Sequence, residues 1–221
     1  MTRVDRALLM LIYAPVAPIG LCLAGWWASL LFTLDVSFNV VAAGSGLLCG
    51  IVLDVLLRRT WLCLSYRRSP MILGVIYLFY AVGLFGFFMG VPVGVVALGL
   101  LAGIYAARRA VVLRCSAVEA LAWLRHTAWF CVAVLFVACA ASAYLAVTDP
   151  YTPQNLQGML GLSFEVTETM VHGLIGVGGA ALLTVQYWLV ICIGRWTLRQ
   201  AAHCRQLDLA GQRRLQGSIR R

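Results

Sequence analysis

Residues Ser163 to Arg199 read SFEVTETMVHGLIGVGGAALLTVQYWLVICIGRWTLR. Between Glu168 and Arg195 this stretch contains no Asp, Glu, Lys or Arg. It is longer than the ~20 apolar residues that carry a helix across a hydrocarbon core of about 30 Å. It therefore reads as a membrane helix, spanning 170–194, with Ser163 as its N-cap and Glu165 in its first turn, where the helix dipole favours an anion. Arg195 and Arg199 end it.

The phase of the stretch adds a second statement. A helix turns about 100° per residue, so residues three, four and seven apart share a face. One face carries Glu165, Glu168, His172, Gly176, Gly179, Leu183, Gln186, Tyr187 and Gly194. The other carries Met170, Leu174, Val177, Ala181, Val185, Trp188 and Cys192. Lipid satisfies no carboxylate, imidazole or amide, so the first face is expected against protein or a water-filled cavity. Its glycines would let a neighbouring backbone approach.

The remainder of the chain supplies partners for such a helix. Of 221 residues 62% are hydrophobic and only 11% are charged. The mean hydropathy is +0.92. Soluble domains are about 45–50% apolar, so a soluble core would not absorb these runs. The expectation is an all-α polytopic membrane protein, a bundle of six transmembrane helices with an amphipathic cytoplasmic helix. The spans fall at about 7–34, 40–57, 71–88, 91–107, 128–147 and 170–194, and 200–221 forms an Arg-rich tail.

A net charge of +9 would suggest nucleic acid in a soluble chain, but here it reads as topology. Every basic residue is Arg, and each falls in a segment that six crossings place on one side. The positive-inside rule makes that side the cytoplasm, with both termini in it, at a bacterial inner (plasma) membrane. No nucleic-acid partner is expected. The eight cysteines include no CxxC pair and none in an expected external loop, which argues against a disulfide framework. MTRVDR and its apolar run resemble a signal sequence, but the run is long and reads as a retained first helix.

Along the chain, Ala14-Pro15-Val16-Ala17-Pro18 should break the first segment, because proline removes backbone donors. Trp26 and Trp27 fall deep in the span and are expected to pack on a neighbour. Asp35–Asn39 reads as an external turn. The second segment holds Gly44, Gly46 and Gly50, with GxxxG between the last two suited to close packing. Arg58–Pro70 reads as an internal loop lying on an anionic leaflet. Aromatics of the third segment, Tyr77 to Phe88, are expected against Gly90, Gly94, Gly99 and Gly103 of the fourth. Arg108–Thr127 reads as the amphipathic cytoplasmic helix or a docking face. Thr148–Leu162 reads as the main external loop.

Candidate sites are few. Glu165, Glu168 and His172 lie within about 60° on the helix surface. They are expected to form a proton- or cation-attracting mouth, or, as Glu168 and His172 with Asp149, a site for a divalent metal if a further ligand arrives, or solvated caps with an interfacial histidine. Gln186 and Tyr187 lie deeper, as cross-helix bonds or ligand contacts. Asp54, four residues before Arg58, is an interfacial ion pair or an inner-mouth site.

No nucleophile elbow, HExxH, P-loop or GxGxxG is present, and His126, His172 and His203 are poorly spaced for haem. A catalytic role is therefore not expected. The first functional expectation is a small transporter or channel component with a polar pathway along the last helix. The alternative is a non-catalytic membrane subunit or scaffold. The expected partners are the bilayer, anionic lipids at the cytoplasmic face, and another copy or a complex partner.

Overall fold

The computed structural model describes residues 3–31, 36–64, 69–88, 91–161 and 166–219, with side chains omitted at 3–4, 58–64, 159–160 and 203–219. Among the described residues all regular structure is helical. The helices are α1 (Arg3–Tyr13), α2 (Val16–Leu30), α3 (Val36–Leu64), α4 (Pro70–Phe87), α5 (Val93–Val112), α6 (Ala117–Thr148), α7 (Thr152–Leu160) and α8 (Glu168–Ile219). Among the described residues six segments are long and apolar enough to cross a membrane: Asp5–Leu30, Val36–Leu57, Pro70–Phe87, Val93–Val112, Ala117–Thr148 and Glu168–Ala202. The chain forms two compact units, Met1–Ile76 and Tyr77–Arg221.

In the first unit the break falls at Ala14-Pro15, where one helix stops and the next begins. Pro18 sits in the first turn of α2, where backbone N–H groups have no intrahelical acceptor, so its missing donor breaks no bond. Helices α2 and α3 then run antiparallel in close contact. Gly25 meets the Ala42 backbone, Gly46 the Leu21 backbone, and Gly50 the backbone of Ala17 and Pro18. At each of the three a Cβ would overlap a main-chain atom. The expected GxxxG approach at 46 and 50 is therefore present, and Gly25 answers it from the facing helix. Trp27 departs from expectation. It is 67% exposed, because the seam takes α2 by its small face and leaves the indole outside.

The second unit is built on α5, α6 and α8. Gly99 faces Gln186, and Gly103 faces Val190 and Ile193, so α5 and α8 run parallel. Leu124 faces Gly194 and the Trp129 ring faces Tyr187, so α6 runs antiparallel to α8. Between them lies an apolar core that includes Val95, Ala128, Cys131, Leu135 and Val190, with Tyr77 and Ala81 of α4 joining it. Gly90 lies outside the described residues. Among the described glycines of the expected aromatic-against-glycine seam it holds at Gly94, which meets Phe88 and Leu84. Gly99 and Gly103 point to α8 instead, because that helix brings side chains that need the space.

Several expected boundaries move. Arg58–Leu64, expected as loop, continues α3, since the segment has neither Pro nor Gly to stop it before Ser69-Pro70. Asp35 lies outside the described residues, while Asn39 is in the first turns of α3. Arg108–Thr127 is not one helix. Its first residues end α5, and from Ala117 the chain is already α6. The interruption is a Schellman-type stop, with the Arg114 N–H donating to the Val111 carbonyl and the Cys115 N–H to that of Ala110. Arg114 has φ 55°, the left-handed position usually given to glycine. Ser116 then opens α6 with a capping box. The Glu119 N–H donates to Ser116 Oγ at 3.3 Å, and the Ser116 N–H donates to the Glu119 carboxylate at 2.9 Å. Within the expected external loop, Thr152–Leu160 is helical and stops at Gly161, φ 60°.

Helix α8 begins at Glu168, not at Ser163. Thr167 caps it, its Oγ1 accepting from the Met170 N–H at 3.4 Å. Ser163 and Glu165 lie outside the described residues.

Candidate functional site

The polar face of α8 divides into two parts. From Leu183 onward it is packed against α5 and α6: Gln186, Val190 and Gly194 are buried and Tyr187 is half-buried. Towards Glu168 it is open, and Glu168, His172 and Gly176 are exposed while Val171 is buried. The opposite face is exposed at Met170, Leu174, Val177, Val185 and Trp188.

Gln186 is the centre of the packed part. It is 0% exposed, and neither Nε2 nor Oε1 has a hydrogen-bond partner. Its amide rests against Gly99 of α5, where a Cβ would overlap it. Along α5 the preceding turn brings Val95, and along α8 the neighbouring turns bring Leu182 and Val190, all of the apolar core. A buried amide left unpaired costs about 1–3 kcal/mol, and the great majority of such groups in folded proteins are paired. Gln186 therefore holds two donor sites and a two-lone-pair acceptor with nothing bonded to them. Tyr187, one residue on, places its ring 5.3 Å from that of Trp129, inclined by 52°.

The other candidates are more ordinary. His172 Nδ1 lies 2.8 Å from the Glu168 carbonyl oxygen, a bond within its own helix. The Asp149 carboxylate accepts from the Tyr151 N–H at 3.0 Å and closes the turn after α6. Asp149, Glu168 and His172 do not gather. Among the described residues no three His, Cys, Asp or Glu side chains form a group able to hold a metal. Asp54 is half-buried on α3, and the Arg58 side chain lies outside the described residues. The hydroxyls of Ser142, Thr184 and Thr197 are each bonded to the carbonyl four residues back.

Two features were not anticipated. Asn39 is 2% exposed and its Oδ1 has no partner. A lone amide at the start of an apolar run was a readable signal, obscured by placing Asn39 in a turn. The Ser116-Ala-Val-Glu119 pattern is a capping-box signature that locates the start of α6.

At the far end of this unit several arginines lie at a similar level. The Arg109 guanidinium lies over the Trp123 ring, 4.8 Å from its centroid, and Arg109 is itself buried. The Leu124–Gly194 contact brings Arg125 and Arg195 to the same level.

In the first unit a shallow cleft of about 450 Å³ lies on the α2–α3 seam, lined by residues including Gly25, Phe38, Ala42 and Gly46. Its hydroxyls are already engaged, Ser29 Oγ donating to the Trp26 carbonyl at 2.7 Å and Ser45 Oγ to that of Ala42 at 2.8 Å. It is an apolar surface without a polar group to orient a ligand. No family model, curated protein or solved structure matches the chain.

Proposed function

We propose that the chain is a multi-pass protein of a bacterial plasma membrane, crossing six times with both termini in the cytoplasm. We further propose that it is a small transporter or channel component whose polar contact is Gln186. Two observations support the threading. Arginine is confined to segments that six crossings put on one side. In the second unit, α5 and α8 run parallel with α6 antiparallel to both, the directions an alternating chain requires.

The unpartnered Gln186 amide carries the functional reading. In an apolar bundle an amide without partners is a standing cost, and intramembrane polar groups characteristically mark solute or ion paths. An amide offers a donor and an acceptor to a small polar solute and no charge to trap an ion. Gly99 leaves the space in which the amide can swing. The test is flux into proteoliposomes, read as stopped-flow osmotic recovery with glycerol and urea and with a pH-sensitive dye for protons. The full chain should pass one of these above protein-free liposomes, and Gln186→Leu should abolish that flux. Equal flux in the variant, or none from the wild type with any probe, overturns the reading.

A non-catalytic subunit or scaffold is the second reading, and a different observation favours it. A Cβ added at Gly173, Gly176 or Gly179 of α8 would meet nothing within 4 Å beyond its own helix backbone. Purification in gentle detergent followed by mass spectrometry would expose a stable partner, and a lone monomer would count against this reading.

A further inference from the structure

The seam between α6 and α8 has two sides. Leu124 and Gly194 face each other across an antiparallel pair. From those positions Arg125 and Arg195 are each one residue on, about 100° round. Because the helices run in opposite directions, the two rotations carry both arginines to the same side of the seam. Trp129 is four residues past Arg125 and Arg199 four past Arg195, each about 40° further round and one turn along. The Trp129–Tyr187 contact is therefore on this side too. Trp123, one residue before Leu124, lies on the other side, where it meets Arg109 of α5.

The side away from α5 is open. Arg125, Arg195 and Arg199 are all exposed, and Trp129 is 60% exposed. Two guanidiniums thus stand above an aromatic wall one turn deeper. Among the described side chains of α5, α6 and α8, none near them is a free carboxylate. From Asp54 to Asp149 the chain has a single acid, Glu119, and its carboxylate is taken by the Ser116 N–H. On α8 the next acid after Glu168 is Asp208, about two and a half turns beyond Arg199.

We infer that this side of the α6–α8 seam binds an anionic phospholipid, its phosphate held by Arg125 and Arg195 and its acyl chain lying on Trp129 and Tyr187. Guanidinium forks match phosphate oxygens, and basic residues at a membrane surface attract anionic lipid. The layering fits one molecule of lipid: charge at the level of Arg125 and Arg195, an indole one turn deeper, and apolar side chains beyond it. The inference rests on α6 and α8 being membrane helices and is independent of any flux through the protein.

Native mass spectrometry of the full chain in detergent tests it, titrating phosphatidylglycerol against phosphatidylcholine of the same chain length. Wild type should bind phosphatidylglycerol about thirtyfold more tightly, as two contacts of about 1 kcal/mol each imply. R125Q/R195Q should bring the two lipids to near-equal affinity, and W129A should weaken both. R6Q/R114Q removes the same charge elsewhere and should leave the preference intact. Equal binding of both lipids to wild type overturns the inference, as does loss of the preference in R6Q/R114Q to the same extent as in R125Q/R195Q. Both altered arginines are exposed, so the folded state should persist, which circular dichroism checks.

Discussion

The two units use glycine in different ways. On the α2–α3 seam, Gly25, Gly46 and Gly50 bring backbone against backbone, and each absent Cβ would strike a carbonyl or main-chain carbon. On the α5–α8 and α6–α8 seams, glycines make room for side chains: Gly99 for the Gln186 amide, Gly103 for Ile193 alongside the Val190 backbone, and Gly194 for Leu124. A backbone contact is rigid and reads no chemistry. A hole for a side chain is deformable and can hold a polar group. The same residue type therefore yields a backbone-to-backbone pair of helices in one unit and a bundle with room for an amide at its centre in the other.

The largest effect should come from Gly46. Gly46→Leu must push α2 and α3 apart, and a loss of about 3 kcal/mol or more is expected, read by unfolding of the full chain in mixed micelles. Gly44, half a turn away on the same helix, has nothing within 4 Å, so Gly44→Leu should stay within about 0.5 kcal/mol of wild type. A matching loss at both positions would break the comparison. Gln186→Met should next stabilise the second unit, by about 1–3 kcal/mol, because it removes an unpaired amide and keeps the volume. Destabilisation would mean the amide has a partner that holds the bundle together. Gly99→Ala should cost less than Gly46→Ala, about 1 kcal/mol against about 2–3, since the end of a glutamine can move and a carbonyl cannot. A modest gain is expected at Arg114. Arg114→Gly should gain about 1 kcal/mol by relieving a left-handed residue, visible as a higher unfolding midpoint.

Long-range patterns were the readable part of this chain. Six apolar stretches, the break at Pro15 and the close approach at Gly46 and Gly50 follow from composition and spacing alone. Helix ends were less readable because they rest on single bonds. Thr167 caps α8 where Ser163 was the expected cap, and Arg114 stops α5 in a conformation that sequence rarely gives to arginine. The phase of α8 identified Gln186 as lying on a polar face. It did not reveal that α5 and α6 reach only half that face, leaving Glu168 and His172 outside. Which half of a stripe is covered depends on where the neighbouring helices end, and periodicity carries no record of that.

Helix α8 runs without a break for 52 residues, from Glu168 to Ile219. At about 1.5 Å per residue it is a rod of about 78 Å, more than twice the hydrocarbon thickness of a bilayer. A rod of this kind has no joint at which to dissipate torque. Turning it about its long axis enough to swing Gln186 away from Gly99 sweeps Arg195, Arg199 and the backbone beyond them through the same angle.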